Sequence, residues 1–127
     1  SANLRLNGFS LEDPRLKFSS TRVGLSENDP AAAALDAIAS QVLTPCLVMM
    51  DVDGPEADIL RSGRKLVAMD RVRWIIETHS LSLERECTEI LQRAGYATRV
   101  IPNAWWRIFI PELRPGDHNR WLIAERR

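Results

Sequence analysis

The sequence predicts an α/β fold, and three observations carry that prediction. Strand-like and helix-like patterns alternate along the chain. Two short apolar runs, "CLVMM" and "RWII", stop abruptly at acidic residues. Glycine, proline and serine punctuate the boundaries between them. Alternation of this kind implies a mainly parallel sheet with helices on both faces, and 127 residues suit a single domain.

The elements follow in order. Residues 15–26 carry Leu16, Phe18, Val23 and Leu25 in short alternation, a strand or two bent pieces. Residues 27–43 read as a helix, capped by Asp29, started by Pro30, sided by Leu35, Ile38 and Val42, and ended by Pro45. "CLVMM" is a continuous apolar run, the pattern of a strand buried on both faces. Pro55 then starts a helix with Ala57, Ile59, Leu60 and Leu66 on its apolar side, which Gly63 weakens. Val72, Trp74, Ile75 and Ile76 form a second strand, ending in Glu77 and His79.

Residues 81–95 give the clearest helix. Ser82 is its candidate cap, Leu83, Cys87, Ile90, Leu91 and Ala94 form a stripe, and Gly95 stops it. "YATRVIP" is a strand, and "AWWRIFIP" and "RWLIAERR" form a C-terminal antiparallel hairpin across the turn-rich "ELRPGDHN".

Lys+Arg and Asp+Glu are equal at 17 each, so no general electrostatic grip on nucleic acid or an anionic membrane is expected. No apolar run approaches the ~20 residues of a membrane helix. Cys46 and Cys87 are far apart in apolar contexts, which fits two buried thiols in a reducing cytoplasm.

In open parallel sheets, ligands bind beyond the carboxyl ends of the strands. Asp51-Val52-Asp53 stands at one such end and Glu77-Thr78-His79 at the next. If the two strands are neighbours they lie only ~4.8 Å apart, and the clusters meet. Asp51, Glu77 and His79 are therefore the candidate catalytic residues and the candidate ligands of a divalent metal. Asp53 is a candidate substrate contact, with helix capping the simpler role, and Glu56 reads as a partner of the helix dipole. Among Trp105, Trp106, Phe109 and Trp121, adjacent Trp105 and Trp106 cannot both face inward. The outward one, taken as Trp106, is a candidate substrate platform. Arg107, Arg114 and Arg120 read as surface residues and His118 as a solvated turn residue.

Two family resemblances arise from these motifs. "MMDVDGPE" resembles the first motif of haloacid dehalogenase-like phosphatases, in which the first Asp is the nucleophile. Here Pro55 replaces the usual threonine, Lys65 comes too soon, and Gly116-Asp117 lacks a second downstream aspartate. The broader resemblance is to FkbM-type S-adenosylmethionine-dependent methyltransferases. It rests on "LDAI", then "LVMMDVDGPEADIL" with Gly63, then "WIIETHS", then a helix closed by "AGY".

That resemblance implies a partial Rossmann-like methyltransferase sheet and transfer of a methyl group to an oxygen of a small molecule or sugar. Asp51 and Glu77 would face the acceptor or a metal, and His79 would take its proton. The family's glycine-rich cofactor loop has no counterpart among the six glycines. The chain thus resembles the carboxyl-terminal half or more of such an enzyme, one that binds S-adenosylmethionine only when intact. A non-catalytic binding or assembly module of the same fold is the alternative, with a phosphohydrolase third. The first strand of the family's sheet would pair with "CLVMM". The free edge from Leu47 to Met50 is therefore expected to be covered by residues 15–25 or by a second copy of the chain.

Overall fold

A computed structural model of the chain describes residues 2–10, 12–14, 16–24, 33–103 and 118–126. The elements are α1 (Ala2–Leu6), α2 (Asp36–Ala39), β1 (Cys46–Met50), α3 (Glu56–Ser62), α4 (Arg64–Ala68), β2 (Val72–Thr78), α5 (Leu81–Arg93), β3 (Ala97–Ile101) and β4 (Arg120–Glu125).

The four strands form one open mixed sheet in the order β1-β2-β4-β3. β1 pairs in parallel with β2, and β4 runs antiparallel to both β2 and β3. The expectation of a mainly parallel sheet is corrected to one parallel ladder out of three, although β1, β2 and β3 all point the same way. The crossover through α5 carries the chain from β2 to β3 across a one-strand gap, and β4 fills it. The expected C-terminal hairpin is therefore not what β4 forms. It pairs instead with two strands laid down earlier, while the proposed partner strand, residues 104–111, lies outside the described residues.

The two crossovers move in the same direction across the sheet, and α3 packs against α5, so both lie on one face. That face holds the core: Val72, Trp74 and Ile76 from β2, Leu122 and Ala124 from β4, Leu60 and Leu66 from α3 and α4, and Cys87 and Leu91 from α5. Helices on both faces are not found among the described residues. Leu47 and Met49, which point the other way, are 60% and 65% exposed. The "CLVMM" run is accordingly buried on one face rather than two.

Of the long helix predicted for residues 27–43, the described residues form the single turn of α2; residues 27–32 lie outside the described set. Ala33 instead bridges Val23. Residues 16–24 consequently add no strand beside β1, contrary to the expectation that they cover its edge. The Leu35-Asp36 pair has a structural use. The Leu35 amide donates to Ser62 Oγ at 2.9 Å, and Asp36 Oδ1 accepts from the amides of Lys65 and Leu66 at 2.8 and 3.1 Å. Asp36 thus caps α4 from outside its own element, satisfying donors that Gly63 cannot.

α5 is capped by Ser80, whose Oγ accepts from the Leu83 amide at 3.1 Å, two residues before the expected Ser82. At its other end Gly95 takes a φ of 89°, and the amides of Gly95 and Tyr96 return to the carbonyls of Gln92 and Leu91. This is the glycine-dependent helix stop the sequence predicts. Arg126 then ties two helix ends together. Its guanidinium donates to the carbonyls of Val67 and Ala68 at the end of α4 and of Ala94 at the end of α5, pairs with Asp70, and stacks on Tyr96 at 4.9 Å.

Two stability outcomes follow. A Cβ at Gly63 would stand 2.6 Å from Leu35 Cδ2 and 3.1 Å from Leu35 Cβ. Gly63→Ala is therefore expected to lower unfolding free energy by ~1–3 kcal/mol in urea titration, despite alanine's better helix propensity. A neutral or stabilising result would show that Leu35 gives way. Arg126→Ala should cost about 1.5–3 kcal/mol, and Arg126→Lys should recover only a minor part, because an ammonium cannot fork to both helix ends.

Candidate functional site

The parallel register pairs Met50 with Ile76. Continued by one residue, it sets Asp51 beside Glu77 at the carboxyl rim of the sheet. The structure brings three of the predicted site residues together: Asp51, Glu77 and His79 each offer a ligand atom within 4.8 Å of the others. Asp51 is exposed, Glu77 is buried at 7% exposure, and His79 lies between.

Glu77 sits on the sheet face opposite the core, across from Trp121 on β4. Its carboxyl group hydrogen-bonds Asp51 and accepts from the Asn119 side chain. Burial pushes its pKa up, the hydrogen bond and charge of Asp51 push further the same way, and Asn119 and His79 only partly offset them. Two carboxyl groups, one exposed and one buried, therefore face each other at the rim.

His79 is held from below by an acid whose role the sequence reading missed. Its Nδ1 lies 2.6 Å from Glu56 Oε1, and Glu56 is fully buried. Burial is the largest single influence and lowers the imidazole pKa, but the Glu56 hydrogen bond and the charges of Glu56, Asp53 and Glu77 together carry it above its ordinary value. Glu56 stands in the first turn of α3, yet it is more than the dipole partner expected of it. With Nδ1 engaged, Nε2 is the nitrogen left to face the rim. Asp53 lies there, its Oδ1 3.3 Å from Nε2 and its side chain 98% exposed. The simpler capping role for Asp53 is corrected: α3 begins after Pro55 with no side-chain cap. Gly54, at a φ of 109°, makes the turn between Asp53 and the helix.

A second polar cluster adjoins the first. Glu84, from the first turn of α5, is 7% exposed and accepts from Arg120 Nη2 at 2.5 Å, with His118 Nε2 3.3 Å from its other oxygen. His118 is therefore not solvated as expected, nor is Arg120 a free surface residue. No local pattern marks Glu56, Glu84 or Asn119 for these roles, because their partners lie 23, 36 and 42 residues away. Trp105, Trp106, Arg107, Phe109 and Arg114 lie outside the described residues. A shallow cleft of about 600 Å³ opens at the other end of the sheet, lined by Pro45, Cys46, Leu47, Arg71, Val72, Arg73 and Arg126, away from the acids.

The cysteines stand apart from this chemistry. Cys87 is fully buried beneath the site, and desolvation, reinforced by the charges of Glu56 and Glu86, raises its pKa to about 12. Thiol labelling of the folded chain at pH 8 is expected to modify the half-buried Cys46 and spare Cys87 until denaturant is added. Rapid labelling of both would mean that α5 opens readily. Among the described residues no helix is long and apolar enough to cross a membrane. No protein-family model, curated protein or solved structure matches the chain.

Proposed function

We propose that the chain supplies the acceptor side of an S-adenosylmethionine-dependent methyltransferase that acts on an oxygen of a small molecule or sugar. The observation that carries this reading is the Glu56–His79 pair at the strand rim: a buried carboxylate 2.6 Å from Nδ1, with Nε2 3.3 Å from the exposed Asp53 carboxylate. This is the arrangement of an oriented general base. In the proposed step S-adenosylmethionine would supply the methyl group, and His79 Nε2 would take the proton of the acceptor hydroxyl. Asp51 and Glu77 flank the acceptor and fix its hydroxyl groups, with Asp53 as a further contact. Such catalysis needs alignment and a deprotonated oxygen more than covalent help.

Further support comes from the outer edge of β1, unpaired among the described residues, and the exposed Leu47 and Met49 beside it, where the resemblance places the family's first strand. A second copy of this chain is the other proposed occupant of that edge.

Calorimetry of the full-length gene product with S-adenosylmethionine should give a saturable heat, and His79→Ala should lower kcat by about 10²–10⁴-fold. A folded product that binds no cofactor would leave the non-catalytic module. Phosphatase activity lost in Asp51→Asn would instead identify Asp51 as a nucleophile.

A further inference from the structure

We infer that Asp51, Glu77 and His79 bind a divalent first-row transition-metal ion at the carboxyl rim of β1 and β2, with Glu56 as the carboxylate that holds the imidazole in place. The donors are two carboxylate oxygens and one imidazole nitrogen, all within 4.8 Å of one another. Around an ion with bonds of about 2.1 Å, neighbouring donors sit about 3 Å apart and opposite ones about 4.2 Å. Small side-chain rotations therefore close the site.

Two features go beyond a cluster of acids. First, Glu56 is fully buried, with Oε1 2.6 Å from His79 Nδ1 and Oε2 without a hydrogen-bond partner among the described residues. A buried carboxylate on the far nitrogen of a histidine fixes the tautomer that presents Nε2 to a metal and raises its basicity as a ligand. Second, the Glu77 carboxyl is buried and its ligand oxygen lies within 4.8 Å of that of Asp51, a pair of like charges that a cation would bridge. The single imidazole favours Mn²⁺, Fe²⁺ or Zn²⁺ over Mg²⁺, which prefers oxygen alone. Exposure on the Asp51 and Asp53 side leaves coordination positions open to water or to a ligand hydroxyl.

The site stands on this geometry alone. Only its role rests on the methyl-transfer reading: with Nε2 on the metal, the ion and not His79 would activate the acceptor hydroxyl.

The test is titration of the chelator-stripped chain with Mn²⁺, Zn²⁺ and Mg²⁺, followed by calorimetry and by electron spin resonance for Mn²⁺. A saturable single site is expected for Mn²⁺ and Zn²⁺, weaker for Mg²⁺, with imidazole nitrogen coupling to Mn²⁺ that disappears in His79→Ala. Glu77→Gln should weaken binding at least 100-fold, and Glu56→Gln by about 10–100-fold. Asp51→Asn should weaken binding as well, yet raise the melting temperature of the stripped chain by relieving the carboxyl pair, which separates lost binding from lost folding. No saturable binding at millimolar metal would overturn the site, as would unchanged affinity in folded Asp51→Asn and Glu77→Gln. Metal binding without methyl transfer by the full-length product would sink the methyl-transfer reading and leave the site. Methyl transfer indifferent to chelator, with no binding, would do the reverse.

Discussion

The parallel register of β1 on β2 is the constraint on which the rest of the molecule depends. It pairs Val48 with Trp74 and Met50 with Ile76, and those side chains drive into the core beneath. Because side chains alternate along a strand, a slip of one residue would turn Trp74 and Ile76 to the outer face and Glu77 into the core. Burial of a tryptophan and an isoleucine therefore fixes, at a distance, where Asp51 and Glu77 emerge. The apolar runs and the acids that follow them are two halves of one arrangement: the first sets the position and the second uses it.

The acids after β1 divide their labour by depth. Asp51 stands at the rim, Asp53 points outward beyond Gly54, and Glu56 turns down under His79. A carboxylate as deeply buried as Glu56 is costly unless a donor meets it, and the imidazole is that donor. The same rule operates at Glu84, which draws in Arg120 and His118, and at Arg126, which collects carbonyls from two helix ends. Each of these contacts joins segments distant in sequence, so the polar interior also holds the C-terminal strand in the gap between β2 and β3.

The Leu35-Asp36 pair and Gly63, prominent in the resemblance to methyltransferases, serve the scaffold. Asp36 caps α4 and Leu35 packs where a Cβ on Gly63 would stand. A motif can thus recur because a helix start needs an outside acceptor and a close approach needs a glycine, with no chemistry at those positions.

The sequence by itself determined the elements whose causes are local. "CLVMM" and "VRWIIET" are strands because their apolar runs are short and bounded by turns, and α5 is a helix with a 3.6-residue stripe stopped by Gly95. It also determined that Asp51 and Glu77 end consecutive strands, which is why their meeting was legible in advance. Tertiary structure decided what depends on partners far along the chain. β4 entered the sheet between β2 and β3 because the α5 crossover left room there. Glu56 turned inward because His79, 23 residues on, offered it a donor. Asp36 left its own helix to cap another, and one sheet face stayed open at Leu47 and Met49 because no described helix covers it. Periodicity reports which residues seek burial. It carries no information on which distant group will meet them, and that pairing energy chose the rest.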